Sequence, residues 1–200
     1  RDAVSEAVTV LGDIAERDVP IGPMTTYRVG GSADVFVRAR STADLQRVAA
    51  ARTRSGLPVL VVGRGSNLLV ADGGYRGIAV SLLDMANDVV IDEATSVVEA
   101  GSAVLLPVLA RQLASAGLTG FEWAVGVPGS IGGAVRMNAG GHGSDMSESL
   151  VDARIVDLTD GADTVVPAEE FGLRFRGSGL RPEQVVVSAR LQLAPGDATT

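Results

Sequence analysis

The segment from Val125 to Gly140 constrains this chain more than any other, because it places five glycines and one proline among mainly apolar or small residues. Glycine has no side chain to hold a ligand away, and it allows backbone angles that turn successive N–H groups toward one point. A second segment of the same kind, Val61 to Val70, contains Gly63-Arg-Gly-Ser-Asn67. Two such loops predict one phosphate or nucleotide site in which both loops contact the ligand, one from each side.

Length and composition limit the fold and the chemistry. A chain of 200 residues can bury roughly 70% of its unfolded surface, which allows one large domain or two small ones. Apolar residues make up 46% of the chain and aromatic residues only 4%, so the core is aliphatic, as in α/β or α+β proteins. The absence of cysteine excludes disulfides, thiolate nucleophiles and zinc clusters, and a single histidine, His142, leads us to predict no metal site.

The charge balance and the chain ends narrow the location and the partners. A net charge of −7 and a pI near 4.7 argue against binding to nucleic acid or to an anionic membrane, since both require a positive surface. No window approaches the roughly 20 apolar residues of a membrane span, and no signal-peptide pattern is present, which predicts a cytoplasmic protein. Because the chain begins with Arg1 and ends in a small polar tail at 194–200, we expect it to be part of a longer protein.

The first half of the chain has the pattern of a βαβ unit. A helix interrupted by Gly12 is predicted at the start, followed by an irregular connector with two prolines. Ser41 and Thr42 are candidate caps for a helix that Gly56 ends. The predicted elements are a helix at 3–16, a connector at 18–24, a strand at 33–38, a helix at 42–54 and a buried strand at 57–62. Residues 33–70 therefore predict strand, helix, strand and glycine loop.

The second half predicts shorter strands, one helix and the large glycine loop. Pro107 is tolerable only in the first turn of that helix, and Gly117 ends it. The predicted strands are 78–82, 89–91, 97–99, 151–158, 164–166 and 185–193, and the predicted helix is 105–116. A domain boundary near residue 83 separates this half from the first.

The first glycine loop is not a standard nucleotide motif. No lysine follows its last glycine, as a Walker loop requires, and it lacks the third glycine and helix of a dinucleotide fold. What remains is a set of donors, in which backbone N–H groups join the Ser66 hydroxyl and the Asn67 amide, with added charge from Arg64. For this loop alone a simple tight turn is the better interpretation, and the second loop shifts the balance toward phosphate binding.

Four motifs appear in this order: Pro23-Met-Thr-Thr-Tyr-Arg-Val-Gly-Gly31, Val62 to Asp72, Gly117 to Gly140 and Phe175-Arg-Gly-Ser178. Together they resemble the UDP-N-acetylenolpyruvoylglucosamine reductase family. The resemblance spans residues 17–195, which is nearly the whole chain. Any one of the motifs alone would be a weak match, whereas four in order are specific.

The resemblance implies an α+β fold, namely the two-lobed FAD-binding fold of the vanillyl-alcohol oxidase type. The first lobe would be residues 17–83, preceded by an N-terminal segment 1–16, and the second lobe residues 84–195. A third domain that covers the substrate in this family would be absent from this chain. The family binds FAD non-covalently, takes hydride from NADPH, and reduces the enolpyruvyl group of a UDP-sugar for peptidoglycan synthesis.

The resemblance also implies site residues. The expected FAD contacts are Gly63, Arg64, Gly65, Ser66, Asn67 and Leu68 in the first loop, and Val127, Pro128, Gly129, Ser130, Gly132, Gly133, Asn138 and Gly140 in the second. The family's catalytic arginine matches Arg176, whose guanidinium suits an oxyanion that forms during reduction. The family's proton-donating serine and partner glutamate lie beyond this chain, and Ser178 is not that donor.

Three positions depart from the family pattern, and the role of two aromatic residues and the function of the chain each have an alternative interpretation. Phe175 replaces a common tyrosine, Arg64 stands where glycine is frequent, and His142 stands where tyrosine is frequent, without a motif for covalent flavin attachment. Phe121 and Trp123 either line the flavin ring or pack in the core, and the core is the better interpretation. Apart from the reductase, the sequence allows a non-catalytic FAD-binding module or another FAD oxidoreductase of the same fold.

Overall fold

The computed structural model of the chain describes residues 2–85 and 87–196. It divides the chain into two compact units. The first unit comprises Arg1–Met85, Val156–Asp163 and Arg181–Val185, and the second comprises Ala86–Ile155, Thr164–Leu180 and Val186–Thr200. The predicted lobes at 17–83 and 84–195 stay a prediction; the units of the structure are not continuous in sequence, because two later segments pack with the first unit.

The first unit contains a four-stranded sheet and two helices. Its elements are α1 (Ala3–Leu11), β1 (Ala15–Pro20), β2 (Ser32–Arg38), α2 (Thr42–Ser55), β3 (Val59–Val62) and β4 (Tyr75–Ser81), with 3₁₀ turns at Gly12–Ile14 and Gly22–Met24. The strand order is β1-β2-β4-β3. Strands β2 and β3 both run parallel to β4, which lies between them, and β1 is antiparallel to β2. The predicted βαβ unit is therefore present, with β4 inserted between its two strands.

Helix α2 begins and ends where its capping residues require. The Ser41 hydroxyl accepts a hydrogen bond from Asp44 N at 3.2 Å, and the Asp44 carboxylate accepts one from Arg40 N at 2.9 Å. This reciprocal arrangement satisfies N–H groups that a helix start leaves unpaired. At the other end Gly56 adopts a left-handed φ of 71° and its N–H bonds to Arg52 O. The Ser41 and Gly56 predictions are confirmed.

The second unit is built on an antiparallel arrangement with two helices. Its remaining elements in chain order are β5 (Val89–Asp92), β6 (Val97–Gly101), α3 (Leu106–Ser115), β7 (Leu118–Thr119), α4 (Ile131–Met137), β8 (Gly140–Gly141), β9 (Ser144–Asp145), β10 (Leu150–Asp157), β11 (Asp163–Pro167), β12 (Gln184–Gln192) and β13 (Ala194–Pro195), with 3₁₀ turns at Glu122–Gly126, Met146–Glu148 and Ala168–Phe171. The five-stranded sheet has the order β11-β10-β12-β6-β5, and two small sheets pair β13 with β7 and β8 with β9.

Each unit has its own apolar core. In the first unit, Ile21, Val62 and Val70 pack with Phe36 and Ala79 of the sheet. In the second unit, residues from α3, α4 and the sheet form one large cluster. Phe121 and Trp123 belong to that cluster, are 2% and 4% exposed, and meet edge to face with ring centroids 5.0 Å apart. The core interpretation of these two rings is confirmed.

Four predictions about elements were wrong. Residues 15–20 form β1 as an edge strand, where Pro20 lies at the strand end and its missing N–H costs no ladder bond. Strand β3 is only half-buried over most of its length, not buried. Part of the predicted tail, Ala194–Pro195, pairs with β7, while residues 197–200 lie outside the described residues. The second glycine loop contains helix α4.

Helix α4 was not predicted from the sequence, because Gly132 and Gly133 each disfavour a helix by about 1 kcal/mol relative to alanine. Tertiary contacts outweigh that cost. Its first turn is held by bonds from Ile131 N to Val104 O and from Gly132 N to Ser102 O, both at 3.0 Å. Ile131 and Val135 are fully buried, so core packing stabilises a helix that local propensity opposes.

Across the residues that the structure describes, no helix combines the length and the apolar character that a membrane crossing needs. Within the same ranges, His, Asp and Glu side chains form no group of three or more that could hold a metal ion.

Candidate functional site

The first glycine loop, residues 63–68, follows β3 and carries a run of unused donors. Among the described residues, none accepts a hydrogen bond from the backbone N–H groups of residues 64–67. The side chains of Arg64, Ser66 and Asn67 likewise make no bond to any described residue; Arg64 and Asn67 are exposed and Ser66 is half-buried. Consecutive free N–H groups form the type of concave surface that binds anions. Leu68 instead packs against the core of the first unit.

Gly65 has a reason to be glycine that involves no ligand. Its φ is 65°, and a Cβ added there would lie 2.4 Å from Met24 O and 2.8 Å from Thr25 Cα. Thr26 N donates to Gly65 O at 3.1 Å. Gly65 therefore lets the loop pass close to the backbone of residues 24–26, where its carbonyl oxygen accepts a hydrogen bond.

The second glycine loop divides into used and unused donors. Val127 N donates to Ala124 O at 3.2 Å, and Leu106 N donates to Gly129 O at 3.1 Å. These bonds, with those of Ile131 and Gly132, fix the loop against the second unit's core. Among the described residues no acceptor is found for the N–H groups of Gly129, Ser130 and Gly133. Pro128 is exposed and Ser130 is buried.

The two adjacent glycines of α4 face different surroundings. A Cβ at Gly132 would meet Ser102 Cβ at 3.1 Å and Ser102 O at 3.4 Å, whereas a Cβ at Gly133 would meet nothing within 4 Å. Gly132 is buried and Gly133 is exposed. The packing of the fold therefore explains Gly132, while it leaves Gly133 unexplained, since alanine would favour this helix. Gly133 thus offers a free N–H on an open surface that a ligand can approach closely.

Asn138 ends α4 in the left-handed conformation, with φ 41° and ψ 57°, which asparagine tolerates better than most residues. It is only 4% exposed. Its Nδ2 donates to Asp145 Oδ2 at 3.0 Å and to Arg174 O at 3.3 Å, and its Oδ1 accepts from Ser147 N at 3.0 Å. Both amide protons and the carbonyl oxygen of Asn138 are thus used within the second unit, and its predicted contact with the cofactor stays a prediction.

Gly140 opens a short hairpin. It pairs with Asp145, and a Cβ on Gly140 would lie 2.4 Å from Ser144 O. The connecting residues His142 and Gly143 have φ of 55° and 88°, so both adopt the positive φ that a two-residue type I′ turn requires. The turn was not predicted, because His-Gly is a weaker hairpin signal than Asn-Gly, Asp-Gly or Gly-Gly.

Arg176 lies at the tip of a second tight turn. Arg174 N donates to Gly177 O at 2.9 Å and Gly177 N donates to Arg174 O at 3.0 Å, which leaves only Phe175 and Arg176 in the connection. Arg176 has a φ of 57°, a conformation that costs a non-glycine residue about 1 kcal/mol or more. Its guanidinium carbon lies 5.8 Å from the centre of the Phe175 ring, and Phe175 is 90% exposed.

These turns line one cleft of the second unit. A cavity of about 270 Å³ is lined by Asn138, Gly140, Gly141, Gly143, Ser144, Asp145, Phe175 and Arg176. The structure thus brings together Arg176, Asn138 and Gly140, which were predicted from distant motifs. Gly141, Ser144 and Asp145 were missed, because nothing in their residue types distinguishes them without the hairpin.

A second cleft of about 390 Å³ adjoins the hairpin and is lined by Gly120, Glu122, Trp123, His142, Ser144 and Glu148. A hydrogen bond from the Thr119 hydroxyl lowers the pKa of Glu122, and Gly120 N also donates to this carboxylate at 2.9 Å. Glu122 is therefore held as a carboxylate by its own loop.

The first and the second glycine loop belong to separate compact units. The prediction that the two loops bind one ligand stays a prediction.

The comparisons with known proteins point to one family. Residues 33–165 match a family model described as "FAD binding domain". The chain is 40% identical over 181 residues to a UDP-N-acetylenolpyruvoylglucosamine reductase of Synechococcus sp. (strain RCC307), covering 90% of this chain and 59% of that protein. It is 42% identical over 187 residues to the reductase of the same name from Gloeobacter violaceus, covering 93% and 62%. The resemblance described from the motifs is confirmed.

Solved structures agree on the fold. The crystal structure of UDP-N-acetylenolpyruvylglucosamine reductase from Thermus caldophilus is 32% identical, with a TM-score of 0.76, and covers 92% of this chain and 64% of that chain. A berberine bridge enzyme is only 16% identical but has a TM-score of 0.72, covering 97% and 44%, which shows the fold alone. The α+β FAD-binding fold is confirmed. The chain spans about 60% of the length of the curated relatives it matches.

Proposed function

The chain belongs to the FAD-binding domain family, and from that premise we propose that it is the FAD-binding part of a cytoplasmic UDP-N-acetylenolpyruvoylglucosamine reductase. The whole enzyme would use NADPH to reduce the enolpyruvyl group of a UDP-sugar to UDP-N-acetylmuramate for peptidoglycan synthesis. The remaining length of the relatives would correspond to the substrate-covering part, where the resemblance places the proton-donating serine and its partner glutamate.

The free donors of the two loops carry the proposal. The diphosphate of FAD is an anion with several acceptor oxygens, and the N–H groups of residues 64–67 have no acceptor among the described residues. Backbone donors bind such an anion with little help from lysine. Arg64 adds a positive charge beside them, in a chain whose net charge is −7. The residues present therefore fit the diphosphate.

The second loop fits the remainder of the cofactor. Gly129, Ser130 and Gly133 present N–H groups that the fold does not use, and the open surface at Gly133 allows close approach. When bound, FAD supplies the hydride chemistry that no side chain of this chain can supply. Arg176 lines the neighbouring cleft, where its guanidinium would stabilise negative charge that develops on the substrate.

The proposal is tested on the intact protein that contains this chain. FAD is titrated into the apoprotein while the visible bands of oxidised flavin are recorded, and NADPH oxidation is then measured with and without the enolpyruvyl UDP-sugar. We expect stoichiometric FAD binding and substrate-stimulated NADPH oxidation. FAD binding without any oxidation of NADPH would favour the non-catalytic module, and oxidation that ignores the UDP-sugar would favour another oxidoreductase of this fold.

The paired glycines of α4 provide a sharper prediction. In the Gly133→Ala variant, we expect the FAD dissociation constant to rise about tenfold, equivalent to about 1.4 kcal/mol, because a methyl group would stand where the ligand approaches. The apoprotein itself should become no less stable, since nothing lies within 4 Å of that methyl position and alanine favours a helix. Isothermal titration with FAD and urea unfolding of the apoprotein measure the two effects.

Gly132→Ala is the matched control, because it makes the same change one residue earlier. Its Cβ would press on Ser102, whose backbone is fixed by bonds to Val187 O and from Gly132 N. We expect this variant to lose about 1–3 kcal/mol of stability, as overpacked positions do. If Gly133→Ala binds FAD as tightly as the unmodified protein, Gly133 does not face the cofactor and this part of the assignment is wrong.

A further inference from the structure

We propose that Asn138 and Ser178 are positioning residues that hold Arg176 in place from the end of helix α4. This inference rests on the proposed reductase function, in which Arg176 contacts the reacting part of the substrate. Neither residue is assigned a catalytic role. Their effect on kcat would act through Arg176.

The turn that carries Arg176 has little support of its own. Among the described residues, two backbone bonds, both between Arg174 and Gly177, close the turn, and the Phe175 ring at its tip is 90% exposed. Arg176 also holds a left-handed φ of 57°, which persists only where the surroundings fix it. The place of the guanidinium therefore depends on what anchors the base of the turn.

Asn138 anchors the near side of the turn. Its Nδ2 donates to Arg174 O at 3.3 Å, the same carbonyl that accepts from Gly177 N. The same amide group is held by Asp145 Oδ2 and, through Oδ1, by Ser147 N. Because Asn138 is 4% exposed, water cannot easily replace the bond to Arg174. The side chain is thus a rigid link from the end of α4 to the base of the turn.

Ser178 anchors the far side. Its hydroxyl donates to Arg136 O at 2.7 Å and accepts from Leu180 N at 3.3 Å. Next to it, Gly179 N donates to Phe171 O at 2.6 Å, and Phe171 lies in the core of the second unit. Arg136 is in the last turn of α4, so both sides of the arginine turn are tied to the end of one helix.

As a consequence, one helix positions both the proposed cofactor contact at Gly133 and the turn that carries Arg176. The start of α4 offers the free N–H of Gly133, and the end of α4 holds the turn that carries Arg176. A seven-residue helix buried against the core cannot bend easily. The arginine therefore keeps a fixed relation to Gly133, and loosening either anchor would release the arginine without removing it.

The test compares variants of the intact protein by kcat for NADPH oxidation with the enolpyruvyl UDP-sugar. We expect Ser178→Ala and Asn138→Gly each to lower kcat about tenfold, and Ser178→Thr, which keeps the hydroxyl, to restore most of the loss. Glycine tolerates the left-handed conformation and removes the donor to Arg174 without placing a second carboxylate beside Asp145. Ser115→Ala is the matched control, because it removes the same kind of serine-to-carbonyl bond, to Arg111 O, elsewhere in the second unit.

A double-mutant cycle separates positioning from a general loss of stability. In an Arg176→Ala background, Ser178→Ala should lower kcat by less than about twofold further, since residues that act through one another are not additive. Full tenfold losses in both backgrounds would overturn the inference, and so would unchanged kcat for Ser178→Ala in the unmodified background. If no variant, including the unmodified protein, reduces the UDP-sugar, the proposed function fails instead.

Hydrogen exchange gives a readout that requires no activity and also applies to variants with low yield. In Ser178→Ala and Asn138→Gly, the amides of Gly177 and Gly179 should exchange at least about tenfold faster, while amides of α3 stay unchanged. Faster exchange spread over the whole second unit would indicate general destabilisation and would contradict a positioning role. Unchanged exchange at both glycines would also contradict it.

Discussion

Replacing Arg176 with alanine in the intact protein is expected to lower kcat for reduction of the enolpyruvyl UDP-sugar about 10²–10³-fold, the loss seen when one preorganised donor to a developing oxyanion is removed. The reason is that Arg176 lines the cleft beside Asn138 and Gly140 and keeps a strained left-handed backbone there. Because Arg176 is not among the residues proposed to hold FAD, the FAD dissociation constant should stay unchanged. Steady-state NADPH oxidation and an FAD titration measure the two quantities.

Two further variants define what Arg176 supplies. Lysine keeps the charge but lacks the planar fork of the guanidinium, so Arg176→Lys should recover only part of the lost kcat. Arg111→Ala is the control, because Arg111 is also an exposed arginine of the second unit and should leave kcat unchanged. An Arg176→Ala protein with kcat within about threefold of the unmodified protein would remove Arg176 from the reaction.

The turn that holds Arg176 shows what the sequence could and could not provide. The motif Phe175-Arg-Gly-Ser178 indicated which arginine to consider, but not why its neighbours matter. Ser178 bonds to Arg136 O across 42 residues of chain, and Asn138 bonds to Arg174 O across 36. No local pattern encodes such partners, because serine and asparagine have the same local conformational preferences at many other positions of a chain.

The secondary structure follows the same division. Helices α2 and α3 were predicted correctly because capping residues, a first-turn proline and a terminal glycine are local signals. Strand β1 was missed, since Glu16, Arg17 and Asp18 lack any apolar alternation and the strand exists through its pairing with β2. Helix α4 was missed because buried contacts of Ile131 and Val135 outweigh two glycines. Elements that depend on distant partners are therefore the ones that sequence patterns did not reveal.

The glycines of the site are of two kinds: some are required by close contacts within the protein, and others leave space for a ligand. The two loops were noticed because they are rich in glycine, and ligand approach was offered as the common reason. The structure instead assigns Gly65, Gly132 and Gly140 to close contacts within the protein. Only Gly133 has open space without a positive φ among these four. A glycine-rich segment can therefore indicate a binding loop although most of its glycines are required by the packing of the loop itself.

That distinction leads to the largest expected effect on stability, which concerns Gly65. In a Gly65→Ala variant, the new Cβ would lie 2.4 Å from Met24 O and 2.8 Å from Thr25 Cα, and the residue would have to keep a φ of 65°. The left-handed backbone alone costs about 1–2 kcal/mol, and the overlap with backbone adds about 1–3 kcal/mol. We expect the free energy of unfolding of the first unit to fall by about 2–5 kcal/mol, the upper range of single substitutions.

Gly73→Ala is the matched control, because Gly73 lies in the same connection between β3 and β4 and a Cβ there would meet nothing within 4 Å. Its unfolding free energy should change by less than about 0.5 kcal/mol. Urea unfolding of both variants without FAD measures the effect of the fold alone, and repeating it with FAD separates binding from stability by linkage. A Gly65→Ala apoprotein as stable as Gly73→Ala would show that residues 24–26 do not hold the loop. The free donors of residues 64–67 would then have no fixed framework, and the case for a preformed diphosphate site would fail.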